Sequence, residues 1–321
     1  MLAILLITFP FFALVLCGYV AARQRMLPLD AIPGLNTFVL YFALPCMLYR
    51  FGSTTPIAQL LDAAAIGVYV LCALIMVGFV VWASLNQRIR WNDASFGALV
   101  AAFPNTGFMG VPLLVALLGA KAAGPAILTI LVDLVITSSL CIALSRLDGA
   151  DEHGAARAAK SALRGAVVNP MPWAIVIGGI ASALQYQPIK PVAQTIGLLA
   201  DAASPVALFT IGAILWRSQF YAAQQEHAPM PYRDFVPVAF FKLLVHPLLV
   251  LVVGAGAIAA GLPLDKFAAS VMVLVAALPS ASNVSLLAER FGADTGRIAR
   301  IILLTTAAAF VTFSGAVALV I

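Results

Sequence analysis

The chain has 321 residues, of which 63% are hydrophobic and 10% charged, and its mean hydropathy is +1.05. A soluble globular domain carries about 25% charged residues, so that class is excluded. The net charge of +5 comes from basic residues scattered singly or in pairs between apolar runs, which excludes a nucleic-acid-binding surface and leaves a membrane topology signal.

A bilayer core takes about 20 apolar residues per helix. Runs of that kind, marked off by charged or Pro/Gly-rich breaks, give ten predicted segments at 2–22, 33–51, 62–84, 94–118, 124–145, 167–185, 192–216, 235–260, 267–289 and 298–320. Segment one has no basic residue before Arg23 and is too long for a signal-peptide core, so it reads as a retained membrane helix. Cys17, Cys46, Cys72 and Cys141 all lie inside apolar runs, without a CxxC pair or metal-ligand spacing beside His153, His227 or His246. They read as small packing residues, and neither a metal nor a cofactor is expected.

The odd-numbered loops hold 13 Lys and Arg residues and the even-numbered loops hold 4, with Lys242 inside segment eight. The positive-inside rule then makes the odd loops cytoplasmic and puts both termini outside. The longest connection divides the chain into a first five-helix repeat at 1–148, a cytoplasmic linker at 149–166 and a second five-helix repeat at 167–321. Arg157, Lys160 and Arg164 form a basic face on that linker, suited to anionic headgroups.

Segment four contains Leu99-Val100-Ala101-Ala102-Phe103-Pro104, and segment nine contains Leu274-Val275-Ala276-Ala277-Leu278-Pro279; five of six positions are identical at an offset of 175. With five helices per half, the second half enters the membrane from the opposite side, so the repeat is inverted. The predicted fold is an all-α integral membrane protein: ten helices in two inverted five-helix repeats, with helices four and nine broken and crossing. Proline inside a helix removes a backbone hydrogen bond and clashes with the preceding turn, at a cost of roughly 3 kcal/mol. Small polar residues follow each proline: Asn105, Thr106 and Gly107 after Pro104, and Ser280, Ser282 and Asn283 after Pro279. Such residues cap helix starts. Two half-helix N-termini near the midplane, each with about half a positive charge, suit a carboxylate better than a cation. The competing reading, two proline kinks in packed helices, explains one proline better than a matched pair.

These residues resemble the auxin efflux carrier family, which includes plant auxin carriers and bacterial carriers for malonate or malate. Pro104-Asn105-Thr106 with Met109-Gly110-Val111-Pro112-Leu113-Leu114 is similar to the family's first crossover motif, and Ala276-Ala277-Leu278-Pro279 to the second. Further matches are Asn36, Pro45, Asn169-Pro170, Asp201, Leu208-Phe209, Gly212, Lys242 and Pro247. The resemblance implies a secondary transporter of a small mono- or dicarboxylate. Segments one, two, six and seven would be the scaffold, the crossing segments part of an elevator-like transport unit, and a bacterial inner membrane the location. Asn105 and Ser280 would bind the substrate carboxylate, with Thr106, Ser282 and Asn283 beside them. Ser280 stands where plant carriers have glutamine, and the linker is short; both favour malonate or malate over auxin. The implied partners are the carboxylate, the bilayer and a coupling proton or sodium ion, and a homodimer is compatible with this reading.

Four further residues are candidates for coupling or ion pairing. Asp133 and Asp201 lie within segments five and seven, where a charge costs about 2.5–3.5 kcal/mol on insertion scales. Each reads either as a proton carrier or as a hydrogen-bonded structural carboxyl. Lys242 and His246, spaced i, i+4, share a helix face. For Lys242 a role as counter-ion, to a carboxylate or to Asp133, is preferred over snorkelling to the interface; for His246 simple packing before Pro247 is preferred over a titrating neighbour. Ser280→Ala is expected to do less harm than Asn105→Ala, because the Ser280 N–H would remain available. No HExxH or GxSxG arrangement is present, which argues against a membrane enzyme, and the neutral Asn105 and Ser280 argue against a cation antiporter. The remaining alternatives are an ion-coupled carrier of another organic anion and a non-transporting membrane receptor.

Overall fold

The computed structural model describes residues 2–56, 59, 61–147, 170–224 and 230–320. The 149–166 linker with Arg157, Lys160 and Arg164, as well as Met1, Asn169 and Ile321, lie outside the described residues. Among the described residues every regular element is helical, and seven helices are long and apolar enough to cross a membrane. They are Leu6–Arg23, Leu29–Thr54, Ala63–Ser84, Ala120–Leu144, Lys190–Arg217, Val236–Ala259 and Thr295–Val320. Segments four and nine fall short because each is split in two, into Trp91–Ala102 with Thr106–Leu118 and Lys266–Ala276 with Val284–Arg290. Segment six is described as Pro170–Ala183.

The chain forms two compact units. Unit 1 holds Met1–Asp62, Thr106–Leu128 and Asn169–Gln225, and so gathers segments one, two, six and seven from both halves of the sequence. Small residues allow close helix packing here, as they must where lipid offers no hydrophobic drive. A methyl at Gly18 would run into the Phe209 carbonyl, and one at Gly212 into the Val15 carbonyl, so Leu2–Arg23 and Lys190–Gln224 lie backbone to backbone. Gly52 and Gly178 do the same for Leu44–Thr54 and Pro170–Ala183. The second half of segment four belongs to unit 1, because the break at Asn105 lets the two halves of that segment pack independently.

Unit 2 holds Ala63–Asn105, Thr129–Val168 and Glu226–Ile321. One end of it is tied by buried Arg297. The guanidinium donates from Nε to the Asp234 carbonyl and from Nη1 to the Asp93 carbonyl, both at 2.7 Å. The Asp93 carboxylate in turn accepts the Asp294 N–H at 2.7 Å. Gly97 leaves room for this, since a Cβ there would sit 2.6 Å from Arg297 Nη1.

Among the described residues four π-turns interrupt the helices, at Val39–Ala43, Thr106–Gly110, Asp133–Thr137 and Phe241–Val245. Three of them end two residues before a proline: Pro45, Pro112 and Pro247. A proline ring clashes with the carbonyl four residues back, and widening the preceding turn relieves it. The fourth has a different cause, as the Ser138 hydroxyl donates to the Asp133 carbonyl at 2.8 Å.

Candidate functional site

Within unit 2 the two proline breaks meet. Pro104 and Ser280 form an antiparallel bridge, with the Asn105 N–H donating to the Pro279 carbonyl at 2.8 Å and the Ala281 N–H donating to the Phe103 carbonyl at 3.0 Å. Each break frees backbone groups that a helix would have paired, and the two breaks satisfy part of each other's demand. Residues 102–106 and 276–282 are all buried.

At this meeting point polar side chains lack partners among the described residues. Asn105 is 4% exposed, and its amide makes no hydrogen bond among the described residues. The Ser280 hydroxyl in unit 2 is buried and without a partner among the described residues; so, in unit 1, is that of Thr106. Leaving such a group unmade inside a protein costs about 1–3 kcal/mol. Thr106 begins the helix Thr106–Leu118 of unit 1, so the chain passes from one unit to the other at the Asn105–Thr106 bond.

The helix starts depart from expectation. Asn283 occupies the N-cap of Val284–Arg290 without a side-chain cap, because its backbone is already helical and its amide cannot turn back to the first turn. Ser282 offers its carbonyl to the Ser285 hydroxyl at 2.7 Å rather than its own hydroxyl to the helix. Val284–Arg290 has only seven residues, so its dipole is weaker than that of a long helix. The Ser280 N–H is also occupied: it donates to Thr305 Oγ1 at 3.3 Å. The expectation of a free backbone donor there is corrected, and the group of Ser280 left for a ligand is its hydroxyl.

Asp133 and Asp201, alike in sequence, differ in space. Asp133 is fully buried in unit 2, where it accepts from the Tyr69 hydroxyl and from the Thr137 hydroxyl, each at 3.0 Å. Asp201 in unit 1 has a 70% exposed side chain and pairs with Arg50 at 2.6 Å. Arg50 as its partner carried no sequence signal, since the two lie 151 residues apart.

Lys242 is buried, so the snorkelling alternative is not what forms. A contact ion pair with Asp133 does not form either, as among the described residues no carboxylate lies within 4 Å of its ammonium. Nζ instead donates to the Ala276 carbonyl at 2.7 Å and sits 3.1 Å from His246 Nδ1. The reason is the break itself, which exposes a helix-end carbonyl with partial negative charge closer to Lys242 than Asp133 is. The shared face of Lys242 and His246 is as the i, i+4 spacing requires, and His246 is packed as expected but bonded as well. Among the described residues no group of three His, Cys, Asp or Glu is placed to hold a metal.

Residues 4–317 match the membrane transport protein family. The chain belongs to this family, that of the auxin efflux carriers. The carrier is 30% identical over 314 residues to the "Putative malonate transporter" of Rhizobium meliloti, covering 95% of this chain and 92% of that one. It is 28% identical over 293 residues to the transporter YfdV of Escherichia coli K12, covering 89% of this chain and 88% of that one. It is also 31% identical over 125 residues to auxin efflux carrier component 4 of Arabidopsis thaliana, which covers 38% of this chain and 20% of the plant protein. The protein is thus a multi-pass membrane transporter and not an enzyme.

Proposed function

We propose that this carrier moves a small mono- or dicarboxylate such as malonate or malate across a bacterial inner membrane by alternating access. One observation carries the reading: within unit 2 the two interrupted helices meet at buried Asn105 and Ser280, and the Ser280 hydroxyl there is buried and without a partner among the described residues. Buried polar groups in a membrane protein are ordinarily paired, and an anion with hydrogen-bond acceptors would pair these. Ser282 and Asn283 add neighbouring donors. Similarity to a protein named for malonate transport favours a short dicarboxylate over a bulky aromatic acid.

The transport cycle is elevator-like, with segments one, two, six and seven as scaffold and the broken segments four and nine in the moving body. Support comes from the grouping of segments one, two, six and seven in unit 1, apart from the Pro104–Ser280 bridge in unit 2. In this reading the ten segments form two inverted repeats, with both termini outside by the basic-residue bias. Asp133, the buried carboxyl of the two candidates, is the coupling proton site.

Uptake of labelled malonate and malate by proteoliposomes containing the purified protein tests the proposal. Saturable uptake, competed by unlabelled malonate and not by indole-3-acetate, is expected. Absence of uptake for every C3 and C4 carboxylate, in either orientation of the substrate gradient, would remove the substrate assignment.

A further inference from the structure

An unbroken helix through segment nine would carry a hydrogen bond from the Ser280 N–H to the Ala276 carbonyl, four residues back. The break abolishes that bond and leaves two buried orphans. Both are recovered by side chains from other segments of unit 2. The Ala276 carbonyl accepts from Lys242 Nζ of segment eight at 2.7 Å, and the Ser280 N–H donates to Thr305 Oγ1 of segment ten at 3.3 Å. Lys242 is buried, has no carboxylate within 4 Å among the described residues, and has the Ala276 carbonyl as its shorter hydrogen bond. Thr305 is fully buried, and its own hydroxyl hydrogen is spent on the Ile302 carbonyl at 3.0 Å, so its oxygen is fixed as an acceptor facing Ser280.

We infer that Lys242 and Thr305 together replace the missing helix bond, and that they are positioning residues for the anion site rather than ligands of it. Lys242 holds the carbonyl end of Lys266–Ala276 and offsets its negative pole, which would otherwise repel an anion at the break. Thr305 takes the Ser280 amide and so turns the residue to present its hydroxyl, which has no other partner. This division of labour rests on the proposed anion site for its effect on transport. The brace itself does not.

Two readouts on the full-length protein separate these. Hydrogen exchange at the Ser280 amide, followed by mass spectrometry without ligand, reads the brace directly. Thr305→Val, which keeps the shape and removes the acceptor, is expected to speed exchange at Ser280 by roughly 2- to 12-fold, the equivalent of one net hydrogen bond. Thr305→Ser is expected to restore the wild-type rate, and Lys242→Met to speed exchange across residues 277–283. Wild-type exchange in Thr305→Val would overturn the brace. Malonate affinity, measured on the same preparations, is expected to weaken in Thr305→Val and Lys242→Met and to recover in Thr305→Ser. Faster exchange with unchanged malonate affinity would overturn the positioning role. If the wild-type protein binds no malonate, the substrate reading fails, and the exchange data still decide the brace. Should Thr305→Val not yield monodisperse protein, Thr305→Ala removes the same acceptor and reads the same exchange.

Discussion

Asn105→Ala separates binding from folding with unusual clarity. The backbone bond that ties the two breaks together uses the Asn105 N–H, which alanine keeps. The side-chain amide is buried at 4% exposure and bonds to nothing among the described residues, so its removal breaks no internal hydrogen bond. Ligand-free stability is therefore expected to stay within about 1 kcal/mol of wild type. Binding is another matter, because a hydrogen bond to a charged ligand contributes about 1.5–3 kcal/mol, which predicts a loss of affinity of roughly 10- to 150-fold for malonate. Thermal unfolding reports both quantities. The ligand-free melting temperature should hardly move, while the stabilisation given by malonate at 100 times the wild-type Kd, about 2.7 kcal/mol, should fall to about 0.3–1.4 kcal/mol. Wild-type affinity and transport in correctly folded Asn105→Ala protein would show that Asn105 is no ligand. A ligand-free melting temperature far below wild type would show that its amide is structural.

Ser280→Ala is expected to impair malonate binding about as much as Asn105→Ala, because the serine N–H is already committed to Thr305; a variant at wild-type affinity would return the ligand role to the backbone. Asp133→Asn is expected to change the pH profile of uptake, whereas Asp201→Asn, whose carboxylate is exposed and paired with Arg50, should leave it unaltered. Identical profiles for Asp133→Asn and wild type would assign Asp133 to structure. Gly97→Ala should destabilise the protein by about 1–3 kcal/mol, since its methyl displaces a guanidinium that satisfies two backbone carbonyls, and an unchanged melting temperature would refute that.

Much of the site could be read in the sequence because proline and small polar residues impose local consequences. Pro104 and Pro279 interrupt their helices whatever surrounds them, and the identical flanks marked them as a pair. The π-turns were also legible in principle, since Pro45, Pro112 and Pro247 each sit two residues beyond one. What a linear pattern could not carry was the choice among partners. Asp133 and Asp201 both look like charges in apolar runs, and only packing buries one and exposes the other. Lys242 was assigned a carboxylate because sequence reasoning pairs charges with charges; the partner it finds is a backbone carbonyl, which exists as an acceptor only once the helix has broken. The same blindness hid Thr305, an ordinary threonine until Ser280 needs an acceptor.

The interleaving of the two units has a consequence for biosynthesis. Unit 1 is complete once Gln225 has been made, but unit 2 waits for the end of the chain. At about 5–20 residues per second, roughly 5–20 s separate the synthesis of Asp133 from that of Lys242, and about 10–35 s separate Asn105 from Ser280. Through that interval the first break must reside in or beside the translocon with its backbone unpaired. A nascent chain stalled before segment nine should therefore be a preferred substrate for membrane quality control, and the late helices act as a check that synthesis has finished.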